Sequence, residues 1–304
     1  MKWEAYPKIL IAWILLAMIF TPFSKAKSSP LDGDNSLERS FRTILRGDVV
    51  AAGVGLAGIG EGNIHIDGLP AGSRVAKAFL YWATIGSVKT FTSPTLDGAA
   101  VDGELIGVSG DTCWGMANNF VYRADVTSLV DGNGIYTIAG LPGAVRLAGN
   151  NDSQGASLVI IYFDDSQPFR TLIIDDGAVS LDILHQNEYT DTISDFDTDS
   201  PATNAEVTYL VGDGQSEFVS GDVTFNGTSI GENVFNGVEG AYWDTRSFDV
   251  TNLQPESPSS TTINDNDPNN PDSPDCLLWA ATVFSVTSPE PSFDFQMYLP
   301  VILR

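Results

Sequence analysis

The chain has 304 residues, with 39 acidic against 15 basic side chains and a formal net charge of −24 at pH 7. Because so few cations can pair with phosphates, this balance argues against nucleic acid and anionic lipid as partners. Hydrophobic residues make up 43% of the sequence and aromatic residues 10%, which excludes a disordered chain and is sufficient for a buried core.

Residues 1–26 predict a secretory signal peptide. A charged start with Lys2 and Lys8 precedes an unbroken apolar run over residues 9–20, and Ser24-Lys25-Ala26 supplies small residues around a cleavage point. The apolar run is shorter than the roughly 20 residues that a bilayer span needs. The alternative is an uncleaved N-terminal anchor. In both cases the rest of the chain leaves the cytoplasm, and we expect a secreted or cell-surface protein. With the signal peptide removed, we expect no transmembrane segment in the mature chain.

Beyond the signal peptide the sequence predicts strands and no helix. Residues 27–45 are polar without a period and are predicted to be a linker. From Gly47 onward, short runs rich in β-branched and aromatic residues, such as Val75–Trp82 and Ser157–Phe163, are separated by turn signals such as Asp97-Gly98. Many short strands at close spacing are typical of β-sandwiches and jelly rolls. We therefore expect an all-β fold.

Four landmarks recur in the same order in the two halves of the sequence. An apolar strand comes first, and in the first half Asp97-Gly98 and then Asp125–Leu129 follow it. In the second half Asn226-Gly227 and Asp249–Leu253 take the same places. Asp125–Leu129 and Asp249–Leu253 share the pattern Asp-Val-Thr-x-Leu, and a final apolar strand closes each set. Recurrence in one order predicts an internal repeat.

The predicted organisation is two tandem antiparallel β-sandwich modules, jelly-roll-like, over residues 46–183 and 184–287. In the second module, residues 254–275 are rich in Asp, Pro and Asn without an apolar period, which predicts a long surface loop. Residues 288–304 are predicted to form a Pro-rich linker and an apolar C-terminal tail.

Cys113 and Cys276 are the two cysteines of the sequence. Outside the cell an even pair can oxidise, and a single disulfide is the simplest interpretation. The alternative is two separate thiols, because cysteines distant in sequence need not approach each other. A zinc site would need more ligands than these cysteines and the scattered His65 and His185 supply.

The spacing of four acidic residues is similar to that of a calcium loop. Counting from Asp195, carboxylates occur at positions 1, 3, 5 and 12, contributed by Asp195, Asp197, Asp199 and Glu206. Position 6 is Ser200 in place of the glycine that makes the sharp turn. We expect calcium as the candidate cofactor, and the alternative is a solvated acidic edge. A second acidic cluster comprises Asp265, Asp267, Asp272 and Asp275.

Patterns that resemble catalytic motifs have simpler structural interpretations. Residues 53–58 spell G-x-G-x-x-G, but a glycine-rich turn and a strand follow, where a dinucleotide site needs a helix. The pairs Asp164-Asp165 and Asp175-Asp176 resemble the carboxylates of glycoside hydrolases. They lie at predicted strand ends, where Asp commonly forms turns. We therefore predict no catalytic residues and a protein that is not an enzyme.

Several segments between residues 46 and 286 also carry a resemblance to a known family. They are Gly47–Val50, Tyr81-Trp82, Gly155–Tyr162, Arg170–Gly177, Val211–Gln215 and Cys276–Ala281. Together they resemble an uncharacterised domain family of archaeal and bacterial secreted and cell-surface proteins. The Asp-Val-Thr-x-Leu step, followed by Gly132-Asn133-Gly134 and a strand, is also similar to galactose-binding-like jelly rolls. The resemblance implies a location outside the cytoplasm and names no chemistry.

Aromatic residues near predicted loops suggest a ligand surface. Trp114 and Trp243 can stack on sugar faces if their rings are exposed, whereas buried rings would fill the core. Our leading expectation is a non-enzymatic secreted or cell-surface protein with an adhesion, envelope-structural or ligand-binding role. The alternative is a carbohydrate-binding module, with or without calcium. The expected partners are extracellular glycans or envelope proteins.

Overall fold

A computed structural model describes residues 36–86, 93–110, 113–116, 118–146, 150–182, 186–240, 242–266 and 275–291. The predicted signal peptide and the apolar tail beyond residue 291 lie outside these ranges. None of the helices in the described ranges is long and apolar enough to cross a membrane.

The described chain is all-β, with seventeen strands and two short 3-10 turns. The first nine strands are β1 (Leu37–Gly55), β2 (Gly62–Ile66), β3 (Arg74–Gly86), β4 (Thr95–Leu96), β5 (Ala99–Ala100), β6 (Glu104–Gly110), β7 (Asn118–Asp125), β8 (Gly134–Ala139) and β9 (Asn151–Phe163). The remaining eight are β10 (Phe169–Leu181), β11 (Glu188–Ile193), β12 (Ala205–Gly212), β13 (Asp222–Phe225), β14 (Thr228–Glu232), β15 (Trp243–Asp249), β16 (Ser259–Asn264) and β17 (Leu277–Thr287).

The largest sheet has nine strands in the order β15-β12-β17-β10-β1-β9-β3-β7-β6, paired antiparallel throughout. Strand β1 changes partner along its length: residues 37–46 pair with β10 and residues 47–55 pair with β9. The change occurs at Gly47, whose φ of 144° is one that L side chains rarely adopt. A Cβ at Gly47 would overlap the carbonyl oxygen of Tyr162. Glycine is therefore required where the strand switches partners.

The partner change divides the large sheet into two parts. The first half-sheet is residues 47–55 with β9, β3, β7 and β6, and the second is residues 37–46 with β10, β17, β12 and β15. The two half-sheets pack face to face through a shared apolar core, with Tyr81 and Val159 on one side and Leu210 and Trp243 on the other. We call this interface the seam.

A smaller four-stranded sheet covers the outer face of each half-sheet. The order is β2-β8-β4-β5 on the first half-sheet and β11-β16-β13-β14 on the second. Each pair encloses its own core, around Trp82 and Tyr136 in one case and Trp279 and Phe225 in the other. Strands of the half-sheets are thus buried on both faces, so that β9 is buried at every position except its two ends and β17 is buried throughout, without alternating exposed residues.

The two Asp-Val-Thr-x-Leu steps have the same local structure. Each forms a three-residue 3-10 turn after β7 or β15, and the backbone N–H of its valine donates to a carbonyl at the start of the central strand, Ala78 or Ala205, at 2.9 Å. The backbone N–H of the same alanine donates to the threonine hydroxyl of the turn. The distance is 3.1 Å from Ala78 N to Thr127 Oγ1 and 2.8 Å from Ala205 N to Thr251 Oγ1.

Two segments differ from their sequence predictions. Residues 37–45, predicted as linker, form the first part of β1, because exposed side chains alternate with half-buried ones and the backbone pairs with β10. Residues 259–264, predicted as loop, form β16 between β11 and β13. In β16 the inward positions are Ser259, Thr261 and Ile263, so small hydroxyl side chains replace the apolar residues that a sequence pattern detects.

Candidate functional site

The seam is closed at one end by a disulfide. Cys113, in the segment between β6 and β7, bonds to Cys276 at the start of β17, with a Cα–Cα distance of 6.3 Å across a sequence separation of 163. The described chain has no free cysteine. The bond ties a loop of the first half-sheet to the second, next to a buried group of charged and aromatic side chains.

Arg146 is at the centre of that group. Its Nε donates to Asp152 Oδ2 at 3.0 Å and its Nη1 donates to Asp213 Oδ1 at 2.6 Å. The three side chains are at most 5% exposed. Asp152 begins β9 and Asp213 follows β12, so one guanidinium joins the two half-sheets across the seam. Removing one partner of such a buried ion pair strongly destabilises the folded protein, because the other charge is left buried without a partner.

Two aromatic rings enclose the guanidinium. The Arg146 Cζ atom lies 3.9 Å from the ring centroid of Tyr242 and 5.0 Å from that of Trp114. The rings contact each other edge to face, and Trp114 Nε1 donates to both Asp213 oxygens at 2.8 and 2.9 Å. Cation–π contacts strengthen in such desolvated settings. The indole of Trp114 is therefore held in the seam by its hydrogen bonds to Asp213 and its contact with Tyr242.

The second tryptophan predicted to stack on sugars is buried. Trp243 is 0% exposed, and its Nε1 donates to Ser157 Oγ at 2.8 Å on the facing half-sheet. Glycine at position 155 leaves room for the indole, because a Cβ there would overlap the ring. The prediction of an exposed stacking surface at Trp243 is wrong, since the ring fills the seam core.

Two further carboxylates lie beside the disulfide. Asp244 accepts from the backbone N–H groups of Gly237 and Val238 at 2.8 and 3.0 Å. Asp275 accepts from the N–H of Cys276 at 2.8 Å. Burial, together with the charges of Asp213 and Asp244, raises the pKa of Asp275 to about 8. The end of the seam thus concentrates negative charge near the Arg146 guanidinium and holds the Asp275 carboxyl partly protonated at neutral pH.

A groove of about 380 Å³ opens next to this network. Its lining is mainly polar and consists of Gln215, Ser216, Glu217, Phe218, Asn236, Gly237 and Tyr242. Phe218 is 39% exposed and presents an apolar ring to the groove. An exposed ring among amide, hydroxyl and carboxylate groups is the combination that can hold a polar, neutral ligand.

Tyr242 connects the groove to the seam. Its φ is 74°, an uncommon value for a bulky residue. Two backbone hydrogen bonds fix this conformation, from Asp213 N to Tyr242 O at 3.0 Å and from Tyr242 N to Gly214 O at 3.1 Å. One face of the ring is therefore held on Arg146 while the residue lines the groove. The groove wall is preorganised by the same contacts that close the seam.

A family model described as "Protein of unknown function (DUF3344)" matches residues 33–287. The chain belongs to the DUF3344 family. The match covers both half-sheets and the seam, and it agrees with the expectation of an uncharacterised family. No curated protein matches the sequence.

The DUF3344 fold does not bring the predicted calcium ligands together. No group of three or more His, Cys, Asp or Glu side chains in the described ranges is placed to hold a metal ion. The Asp195 carbonyl accepts from Arg42 Nε at 2.6 Å, and the Asp199 N–H donates to the Thr287 carbonyl at 3.1 Å. Glu206 lies on β12 opposite Asp249. The contacts of Asp195 and Asp199 and the position of Glu206 on β12 keep these carboxylates apart, so the segment does not form a calcium-binding loop.

The two described residues of the second acidic cluster contact different segments. Asp275 lies at the disulfide, whereas Asp265 follows β16 and its N–H donates to the Asn187 carbonyl at 2.9 Å. Asp267 and Asp272 lie outside the described residues. Burial raises the pKa of Asp265, and the negative charge of Asp182, directly after β10, helps to raise it. Asp182 was not placed in this cluster from the sequence.

The carboxylate pair at Asp175-Asp176 is part of the DUF3344 core. Asp175 accepts from Arg39 Nε at 2.5 Å, and Asp176 accepts from Arg123 Nη1 at 2.6 Å and from the Tyr81 hydroxyl at 2.8 Å. These contacts are structural ion pairs between strands.

The charged seam residues Arg146, Asp152 and Asp213 were not identified as site residues from the sequence. The available signal was a charged residue directly after a run rich in β-branched and aromatic residues, as Asp213 is after residues 207–212 of β12. That signal indicates burial and the need for a partner. It does not identify the partner, because Arg146 lies 67 residues away, in the segment between β8 and β9.

Proposed function

We propose that this DUF3344 chain acts outside the cytoplasm as a non-enzymatic secreted or cell-surface protein with a binding or envelope-structural role. The observation that carries the proposal is the Cys113–Cys276 disulfide. Structural disulfides persist in oxidising compartments and are rare in the reducing cytosol. The signal-peptide pattern over residues 1–26 supports the same location.

We also infer that the chain consists of two copies of one sandwich module fused through β1. Each copy would comprise one half-sheet and its small covering sheet, with matching Asp-Val-Thr-x-Leu turns. The orders of the two small sheets, β2-β8-β4-β5 and β11-β16-β13-β14, support this. Position by position, β2 corresponds to β11, β8 to β16, β4 to β13 and β5 to β14, and both sets follow the same sequence order. The module boundary then falls in the turn between β9 and β10, earlier than residue 184.

Localisation tests the main proposal. Antibody raised against the purified chain would be used to probe culture medium, envelope and cytoplasm of the native host. The expected result is an oxidised chain lacking residues 1–26 in the medium or on the envelope, identified by its N-terminal sequence. Recovery of the full-length, reduced chain from the cytoplasm would overturn the proposal.

A second candidate function, carbohydrate binding, is favoured by the groove beside Tyr242. Sugars present apolar ring faces and many hydroxyl groups, and the groove offers the exposed ring of Phe218 with Gln215, Asn236 and Glu217. Asn and Gln side chains both donate and accept, as hydroxyl recognition requires. In this proposal the stacking residue is Phe218, in place of Trp114 and Trp243.

Phe218→Ala tests the carbohydrate site. A glycan array probed with the wild-type chain would identify a ligand, and calorimetry would then measure the affinity of each variant. Losing one stacked ring is expected to weaken binding about tenfold. Ile135→Ala is the matched control, because Ile135 is 58% exposed on β8, away from the groove. Absence of glycan binding, together with self-association in light scattering, would instead favour an envelope-structural role.

A further inference from the structure

The groove beside Tyr242 carries a negative charge on its wall. Among the described residues, its lining contains Glu217 and no lysine or arginine. Glu217 is exposed, and it forms no ion pair with any other residue that the structure describes. Burial raises the pKa of the Tyr242 hydroxyl, and the charge of Glu217 is among those that raise it further. The carboxylate therefore acts on the groove wall that Tyr242 forms.

The guanidinium of Arg146 does not offset this charge for a ligand in the groove. Its side chain is 5% exposed, and it already donates to Asp152 and Asp213. Arg146 does not line the groove, whereas the Tyr242 ring, 3.9 Å from the guanidinium carbon, does. A ligand in the groove thus meets the aromatic ring and not the positive charge behind it.

A carboxylate and an exposed aromatic ring are neighbours on the groove wall. Glu217 precedes Phe218, and both line the groove. The segment is anchored at its start, because Gln215 N donates to Asp275 Oδ2 at 3.4 Å, next to the disulfide at Cys276. A protonated amine can pair with a carboxylate and lie against a ring face at the same time. This stretch of wall therefore suits a sugar that carries an amino group.

We propose that the groove selects sugars by charge, with amino sugars preferred over neutral sugars and acidic sugars disfavoured. The inference rests on the proposed carbohydrate function of the groove and names the class of sugar. Glu217 sets the preference, because an acidic sugar would bring a second negative charge next to it with no cation in the described lining to pair. The net charge of −24 acts in the same direction at longer range.

The expected preference is modest, because Glu217 is accessible to water. One ammonium–carboxylate pair at an exposed position changes affinity by up to about fivefold. An amino sugar is thus expected to bind about fivefold more tightly than its neutral parent, and the matching uronic acid about fivefold more weakly. Both differences should shrink at about 1 M NaCl, since salt screens exposed charges.

The test is a glycan array that carries neutral, amino and uronic-acid versions of the same backbones, such as cello-oligosaccharides, chitosan oligosaccharides and cellouronates. It is probed with the full mature chain at about pH 6, where amines are protonated. Calorimetry then gives Kd for the bound sugars at low and high salt. The wild-type chain is expected to follow the order amino, neutral, uronic.

Glu217→Gln should remove the differences among the three classes. Glu256→Gln is the matched control and should keep them. Glu256 is an exposed carboxylate that follows the far end of β15, the strand that begins next to Tyr242. Thermal unfolding of Glu217→Gln should match that of the wild type, because the residue is exposed and in no ion pair among the described residues.

The outcomes separate the charge preference from carbohydrate binding itself. Binding of neutral sugars without a preference among the classes would overturn this inference and leave the carbohydrate function in place. So would a preference for uronic acids, or an order that Glu217→Gln leaves unchanged. Absence of binding to every sugar on the array would overturn both the carbohydrate function and the preference.

Discussion

Arg146 shows how a single side chain can hold the seam together. It neutralises part of the charge of Asp152 and Asp213 and stacks on Tyr242, and each of these groups belongs to a different segment of the chain. The planar guanidinium makes these contacts simultaneously, which a lysine ammonium could not reproduce. The groove therefore depends on a residue that does not line it.

The buried carboxyls at the seam also predict how stability depends on pH. The pKa of Asp275 is about 8 in the folded state and near 4 when unfolded, so the folded state binds the proton more tightly. Between these values the unfolded state carries fewer protons, and stability falls as pH rises. The contribution of Asp275 is fully present below pH 4 and is lost as the pH passes 8.

Asp275→Asn tests this dependence. The variant cannot ionise, so its stability should decline less between pH 5 and 8, by on the order of a few kcal/mol at about 1.4 kcal/mol per pH unit. Urea unfolding at several pH values measures the difference. Asp165→Asn removes the same charge from an exposed turn and should follow the wild-type curve. Parallel curves for the wild type and Asp275→Asn would contradict the assignment.

At the scale of elements, the partner change of β1 is the feature on which the sheet depends. Gly47 combines a positive φ with a close approach to the Tyr162 carbonyl, so any side chain there meets both strain and overlap. Moving either strand to relieve the overlap would break the pairing of β1 with β9.

Gly47→Ala is expected to destabilise the chain by about 3 kcal/mol or more, because an incompatible backbone is added to a steric clash. The matched control is Gly98→Ala, where φ is 80° and nothing lies within 4 Å of the added Cβ. The control carries the conformational cost alone, about 1–2 kcal/mol. Chemical denaturation measures both, and equal losses would show that the overlap at Gly47 is relieved without cost.

The all-β class was predictable because strand signals are local. Val75–Trp82 and Ser157–Phe163 are β-rich runs bounded by turn residues, and both lie within strands. The strand β16 was not predictable, since its inward Ser259 and Thr261 carry no apolar period. Their burial depends on strands β11 and β13, which are distant in sequence.

The candidate site was harder to predict for a related reason. Trp114 and Trp243 were identified correctly as aromatic residues near loops, but exposure depends on what packs on them. The indole of Trp243 lies against Ser157 across the seam, and no local pattern encodes that contact. Phe218 gave no signal, because it lies in a polar loop and lines the groove only together with Asn236, Gly237 and Tyr242.

At the scale of the whole molecule, the seam couples the two half-sheets into one unit. The shared nine-stranded sheet, the common core and the disulfide all cross the predicted module boundary. Independent modules would expose the seam core, including Leu210 and Val159, to water. We therefore expect a single cooperative unfolding transition for the chain.

The double substitution Cys113→Ser and Cys276→Ser tests how much of this coupling is covalent. Closing a loop of this length removes enough unfolded-state entropy to stabilise the chain by up to about 5 kcal/mol, and measured values for disulfides are typically 2–4 kcal/mol. Urea unfolding should show that loss with a single transition retained, because the seam core remains. The variant should be insensitive to dithiothreitol, while the wild type should be destabilised by it. Two separate transitions in the variant would mean that the disulfide, and not the apolar seam, makes the half-sheets unfold together.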